Sequence, residues 1–136
     1  MLERFEDWYR ADVATRERAL EVLIARIHER DRDIRAWVAV SPQPSTGDGP
    51  LSSIPFGVKD VIETANLPTE YGSPVYSGRR GTFDAAIVSH LRARGGVLLG
   101  KTHTAAFACR TPPVTRNPRN LAHTPGGSSS GSAGDA

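Results

Sequence analysis

Two stretches of this 136-residue sequence hold residues that can do chemistry together. Thr124-Pro125-Gly126-Gly127-Ser128-Ser129-Ser130-Gly131-Ser132-Ala133 is a cluster of hydroxyls on a backbone with few side chains. Ile54-Pro55-Phe56-Gly57-Val58-Lys59-Asp60 puts a lysine at the end of an apolar run. A serine hydroxyl needs a base before it becomes a nucleophile, and a buried lysine can be that base. The Pro-Phe-Gly-Val run before Lys59 is a setting that can hold an amine out of water. Each stretch also has an ordinary reading. Gly-Gly-Ser-Ser-Ser-Gly-Ser has the composition of a flexible linker, and a lysine after a strand is commonly a solvated end residue. The ordered texture just upstream, with a turn at Asn117-Pro118-Arg119-Asn120, argues against a low-complexity slide.

Other candidates are weaker. Gly95-Gly96-Val97-Leu98-Leu99-Gly100-Lys101-Thr102 matches the phosphate-loop spacing, in which backbone N–H groups cradle phosphates. Such a loop must follow a strand and open a helix. Here a helical pattern precedes Gly95, and Val97-Leu98-Leu99 reads as the strand itself, so Lys101 is expected to be a structural residue at a strand end. His28, His90, His103 and His123 share no metal-ligand spacing. Cys109 is the only cysteine, which excludes an internal disulfide. It is expected to be a small buried residue.

The elements that must position Lys59 and the serines follow from pattern. Residues 2–30 repeat apolar side chains at helical spacing, through Leu2, Phe5, Trp8 and Tyr9 and then Leu20, Leu23, Ile24 and Ile27. Ile34 to Val40 alternates like a strand, and residues 41–53 read as an exposed connection. Ile54 to Val58 predicts a buried strand. Thr82 or Asp84 could cap a helix from Ala85 to Arg94, with Gly95 ending it. Val97 to Leu99 predicts a second buried strand, and the order helix, glycine, strand marks an α/β protein. Thr102 or Thr104 could cap a short helix through Phe107. Residues 111–125 hold four prolines and must be extended or turning.

Composition bounds the rest. With 38% apolar and 24% charged residues the chain reads as soluble and globular. A net charge of +2, with arginines interleaved among acids, gives no basic stripe for nucleic acid. No apolar run nears the roughly 20 residues needed to span a bilayer. The first residues lack the apolar core of a signal peptide, so a cytoplasmic location is expected.

Taken in order, these fragments resemble the amidase-signature family. The resemblance rests on Pro55-Phe56-Gly57-Val58-Lys59-Asp60, Leu67-Pro68-Thr69 with Gly72-Ser73, Asp84-Ala85 and the Leu91-Arg92-Ala93-Arg94-Gly95 helix end. It continues through Val97-Leu98-Leu99-Gly100-Lys101-Thr102, Ala106-Phe107-Ala108, Asn117-Pro118 and the Thr124 to Ala133 segment. It covers residues 51 to 133, while residues 1–50 match only as a helical region and linker. Residues 51–136 are then the N-terminal part of an amidase-signature domain, supplying one portion of a mixed sheet flanked by helices.

The resemblance implies a Ser–Ser–Lys triad. Lys59 is the general base, and Ser128, which in the family follows a cis peptide bond, is the bridging serine. The family's nucleophile is a third serine in a Gly-Gly-Ser-Ile-Arg type segment that residues 1–136 do not contain, and the oxyanion amides go with it. Gly134-Asp135-Ala136 also departs from the family's run of small apolar residues. The resemblance thus implies a hydrolase of a small or medium carboxamide that needs no metal or organic cofactor. Residues 1–136 would be a truncated or interrupted portion of it, inactive on its own. Its partner is the amide substrate, with room for a homo-oligomer. The alternatives are an inactive fragment or an amidotransferase-subunit-like module, and, more weakly, a phosphate-loop nucleotide binder. In isolation the tail is expected to be mobile with the bond before Ser128 trans, and Val97 to Leu99 to lie on an open sheet edge.

Overall fold

The structure, a computed structural model, describes residues 2–109 and 111–135; Met1, Arg110 and Ala136 lie outside them. The helical N-terminal pattern is two helices, α1 (Phe5–Arg10) and α2 (Val13–Ile34). They separate because Ala11 and Asp12 are extended and Asp12 caps α2, its carboxylate accepting the Thr15 amide at 2.9 Å and hydroxyl at 2.8 Å. A short acceptor at this position satisfies helix-end amides that would otherwise lack partners. Buried Arg16 fastens the two helices. Its guanidinium donates to Trp8 O at 2.7 Å, Tyr9 O at 2.7 Å and Ser52 O at 2.9 Å.

The first strand starts later than its alternation suggests. Ile34 closes α2, and Arg35 ends the helix in the left-handed region at φ 56°. Asp31 Oδ1 then accepts the amides of Ala36 at 2.6 Å and Trp37 at 3.2 Å, steering the chain into β1 (Trp37–Gln43). The strands β2 (Pro55–Lys59) and β3 (Val97–Thr102) complete a mixed sheet of order β1-β3-β2. β3 runs antiparallel to β1 and parallel to β2. It is therefore the central strand, which corrects the expectation of an open edge at Val97 to Leu99. Both of its backbone sides are paired, so its apolar run is buried rather than offered to another chain.

A bulge in β3 sorts its side chains. Phe56 faces Leu98, but the next pair is Gly57 with Gly100, so Leu99 is an extra residue. Leu99 joins Ile27, Ile34, Ala36 and Trp37 on one face of the sheet. Leu98 joins Val58, Leu67 and Val88 on the other. The extra residue also returns Lys101 to the face of Leu98 and Val58, because paired residues of parallel strands share a face. Gly100 makes this feasible. Its φ is +153°, and a Cβ there would sit 2.0 Å from Ala39 O.

Helix α3 (Ala86–Ala93) contributes Val88 to the second face. Neither Thr82 nor Asp84 caps it; Ala85 holds the N-cap without a side-chain bond. Asp84 instead accepts the Ala65 amide at 2.8 Å and pairs with Arg92 at 2.5 Å. Gly95 follows the helix at φ +98°, as its type suggests. The short helix expected through Phe107 is a single 3-10 turn, Ala106–Ala108.

The tail is the largest departure. Ser130–Asp135 forms α4, and the Gly127–Ser128 bond is cis. This corrects the expectation of a mobile linker with a trans bond. α4 sits on the sheet so closely that a Cβ on Gly131 would lie 2.2 Å from Ala36 O and 2.4 Å from His103 N. Only glycine fits there, which gives part of the linker-like composition a packing reason.

Candidate active site

Lys59 is the last residue of β2, half-buried, and pairs across the ladder with Thr102 of β3. Both point to the face covered by α4, where Thr102 Oγ1 and Ser132 Oγ are 3.3 Å apart. Gly57, two residues before Lys59, lies against Trp37 and Thr102 on that same face. Successive strand residues alternate sides, so the Lys59 amine emerges where the serine segment crosses the carboxyl ends of β2 and β3.

The structure brings the two sequence candidates together. Lys59 Nζ and Ser128 Oγ are hydrogen-bonded at 2.6 Å, although 69 residues separate them. Ser128 is held from two sides. Its carbonyl accepts the Ala105 amide at 2.9 Å. Two residues on, fully buried Ser130 donates its hydroxyl to Gly126 O at 2.6 Å, closing the loop around the cis bond. Ser130 was visible in the sequence only as one of several serines, and nothing but burial singles it out. The arrangement is an amine in contact with a hydroxyl, which is what proton transfer to or from that hydroxyl requires.

The second lysine has a different setting. Lys101 is fully buried. Its amine donates to Ile62 O at 2.8 Å, Pro68 O at 2.7 Å and Thr69 Oγ1 at 3.1 Å. Asp60 Oδ1 lies 3.1 Å away. The three protons go to three oxygens, so Asp60 supplies opposite charge to the ammonium while that oxygen gains no proton of its own. Burial pushes the Lys101 amine below the ordinary lysine range, and the Asp60 carboxylate opposes that shift. Lys101 is thus a strand residue locked in the interior, and the phosphate-loop spacing runs from Gly95 into β3 with its amine committed.

A cavity of about 310 Å³ opens at the carboxyl ends of β2 and β3, lined among others by Asp60, Glu70, Ser73 and His103. Burial lowers the His103 pKa against the raising influence of Asp31, Asp60 and Glu70. A larger groove, about 740 Å³, runs along α2 and contains neither Lys59 nor Ser128. We place the chemistry at the pair, because a site needs reacting groups and not volume. Cys109 is exposed, which corrects the expectation of burial. It follows Phe107 and Ala108, which have positive φ of 51° and 57°. Among the described residues, no His, Cys, Asp or Glu group is placed to hold a metal ion, and no helix is long and apolar enough to cross a membrane.

Known proteins share this arrangement of elements. The family model described as Amidase matches residues 18–134. The A subunit of the glutamyl-tRNA(Gln) amidotransferase of Halothermothrix orenii is 33% identical over 144 residues, covering 97% of this chain and 30% of the relative. The corresponding protein of Salinispora arenicola is 42% identical over 103 residues, covering 70% and 21%. Among solved structures, the same amidotransferase component of Thermotoga maritima superposes with a TM-score of 0.83 at 29% identity, over 95% of this chain and 30% of that one. The native peptide amidase of Stenotrophomonas maltophilia gives a TM-score of 0.71 at 30% identity, over 91% and 30%. The chain therefore spans about a third or less of the length of these relatives.

Proposed function

Because the chain belongs to the Amidase family, we propose that Lys59 and Ser128 are the base and relay of a Ser–Ser–Lys site that cleaves a carboxamide. The single observation that carries this is the 2.6 Å contact between Lys59 Nζ and Ser128 Oγ. As the free amine, Lys59 takes the Ser128 proton while Ser128 takes the proton of an attacking serine hydroxyl. That hydroxyl adds to the amide carbonyl, the amine or ammonia leaves with the returned proton, and water hydrolyses the acyl ester. The proposal takes the attacking serine from the remaining length of the relatives, of which this chain spans about a third.

The test is a chimera in which this chain replaces the matching third of the peptide amidase. Ammonia release by the chimera should fall roughly 10²–10⁴-fold in Lys59→Ala and in Ser128→Ala. An active chimera indifferent to both changes would refute the roles. A second reading has its own support. The relative with a TM-score of 0.83 is one component of an amidotransferase, against 0.71 for the peptide amidase. On that reading the same pair frees ammonia for a partner protein that works on glutamyl-tRNA(Gln), and the protein works in a complex.

A further inference from the structure

The chain contains only two lysines among its 17 basic residues, and they stand on opposite faces of the same strand pair. Lys59 points to Ser128 and α4. Asp60, the next residue, points the other way and meets Lys101. From Asp60 the chain leaves the sheet for a loop that returns at Tyr71, whose amide donates to Asp60 O at 3.0 Å. Asp60 Oδ2 accepts the Glu70 amide at 3.0 Å, closing the loop mouth a second time. The Lys101 amine gathers the interior of the loop through Ile62 O, Pro68 O and Thr69 Oγ1. The Ile62 amide in turn donates to Lys59 O at 2.9 Å, and the Asp60 amide donates to Thr102 O at 3.0 Å. The backbone of Lys59 is therefore held by its ladder pairing with Thr102 and, through Ile62, by bonds that lead to one buried charge pair beneath it.

We propose that Asp60 and Lys101 are positioning residues, a buried ion pair that holds Lys59 from the opposite face so that its amine stays on Ser128. The inference rests on the reading of Lys59 and Ser128 as a working pair. A half-buried lysine on a strand end has several rotatable bonds, and losing a fixed backbone origin would let its amine swing into water. No contact between Lys101 and Ser128 is needed. The pair also explains why a lysine and not an apolar residue stands at position 101. One ammonium can bind three oxygens of an irregular loop together, which a hydrocarbon side chain cannot do.

The two-lysine content makes the test direct. An amine-selective acetylating reagent is applied to the 136-residue protein, and the rate at Lys59 is read from the mass of its peptide. Ser128→Ala gives the reference rate for an amine freed of its contact, expected about tenfold above wild type. The double variant Asp60→Asn/Lys101→Met removes both charges together, leaving no unpaired buried ion. Its Lys59 rate should rise to at least half the Ser128→Ala rate while circular dichroism stays native. A folded double variant labelled at the wild-type rate overturns the inference and leaves the Lys59–Ser128 pair standing. If the double variant does not fold, Thr69→Val decides. It removes one acceptor of Lys101 in an isosteric change, and should raise the rate two- to threefold, while an unchanged rate overturns the inference. A Ser128→Ala rate equal to wild type would instead show that the pair itself is wrong, and the inference falls with it. A purely structural role would lower the unfolding midpoint without changing Lys59 labelling in the folded protein.

Discussion

Lys101→Ala should cost this protein much of its stability, although the sequence pattern marks it only as a structural residue at a strand end. The structure supplies the magnitude. Removing the amine leaves Asp60, 1% exposed, as a buried carboxylate without its counter-charge. Breaking a buried ion pair from one side costs about 3–5 kcal/mol. Ile62 O, Pro68 O and Thr69 Oγ1 lose a donor at the same time, and the missing stem leaves a cavity. These costs overlap, so a total of about 4–6 kcal/mol is the working figure. At roughly 0.05–0.15 kcal/mol per residue, a domain of this length has on the order of 7–20 kcal/mol to lose. Urea denaturation followed by circular dichroism gives the measurement. With a slope of about 2 kcal/mol per molar, the midpoint should fall by about 2–3 M. Lys59→Ala, which removes one contact at a half-buried site, should move it by less than about 0.5 M. A Lys101→Ala midpoint within about 0.3 M of wild type would refute the assignment of Lys101 to the interior.

Two further outcomes follow from particular contacts. Gly100→Ala should destabilise by several kcal/mol (about 3 or more) and disturb both strand pairings, because its Cβ would meet Ala39 O at 2.0 Å in a backbone region open only to glycine; amide exchange across β1 and β3 reads this out, and native protection in the variant would contradict the bulge. Glu63 is gripped by Arg79 through contacts of 3.0 and 3.1 Å, and this hydrogen bonding holds its carboxyl below the ordinary glutamate range against the opposing effect of burial. A depressed carboxylate adds stability that is present above the unfolded value near pH 4.3 and is lost as pH falls through the lower folded value. Glu63→Gln should therefore flatten the fall in melting temperature below about pH 4.3, and an unchanged acid slope would count against the pairing.

Local pattern alone specifies which segments become helices and strands wherever it is unambiguous. Leu20, Leu23, Ile24 and Ile27 specify α2 because apolar side chains at helical spacing leave one face to bury. Ile54 to Val58 and Val97 to Leu99 specify strands because short apolar runs closed by glycine or proline have few other uses. Gly95 announces the end of α3 because few other residues accept its backbone angle. Lys59 stands out as a candidate by its apolar surroundings, whereas Ser128 is singled out among neighbouring serines only by the resemblance to the amidase-signature family.

Features governed by distance and register emerge only when the strands and helices pack. Composition could not distinguish a linker from a packed segment at residues 126–134, because glycine and serine serve both. The close approach of Gly131 to Ala36 and His103 exists only once the sheet is formed. The break at Asp12 was hidden because its neighbours fit a helix, and only the cap geometry shows which way the chain turns. The two lysines look alike as strand-end residues. The bulge at Leu99 and Gly100 shifts register by one, and a shift of one reverses the face of every following side chain. That single residue sends Lys101 inward to Asp60 and leaves Thr102 beside Lys59, a choice made by pairing between strands and not by the order of residues along either one.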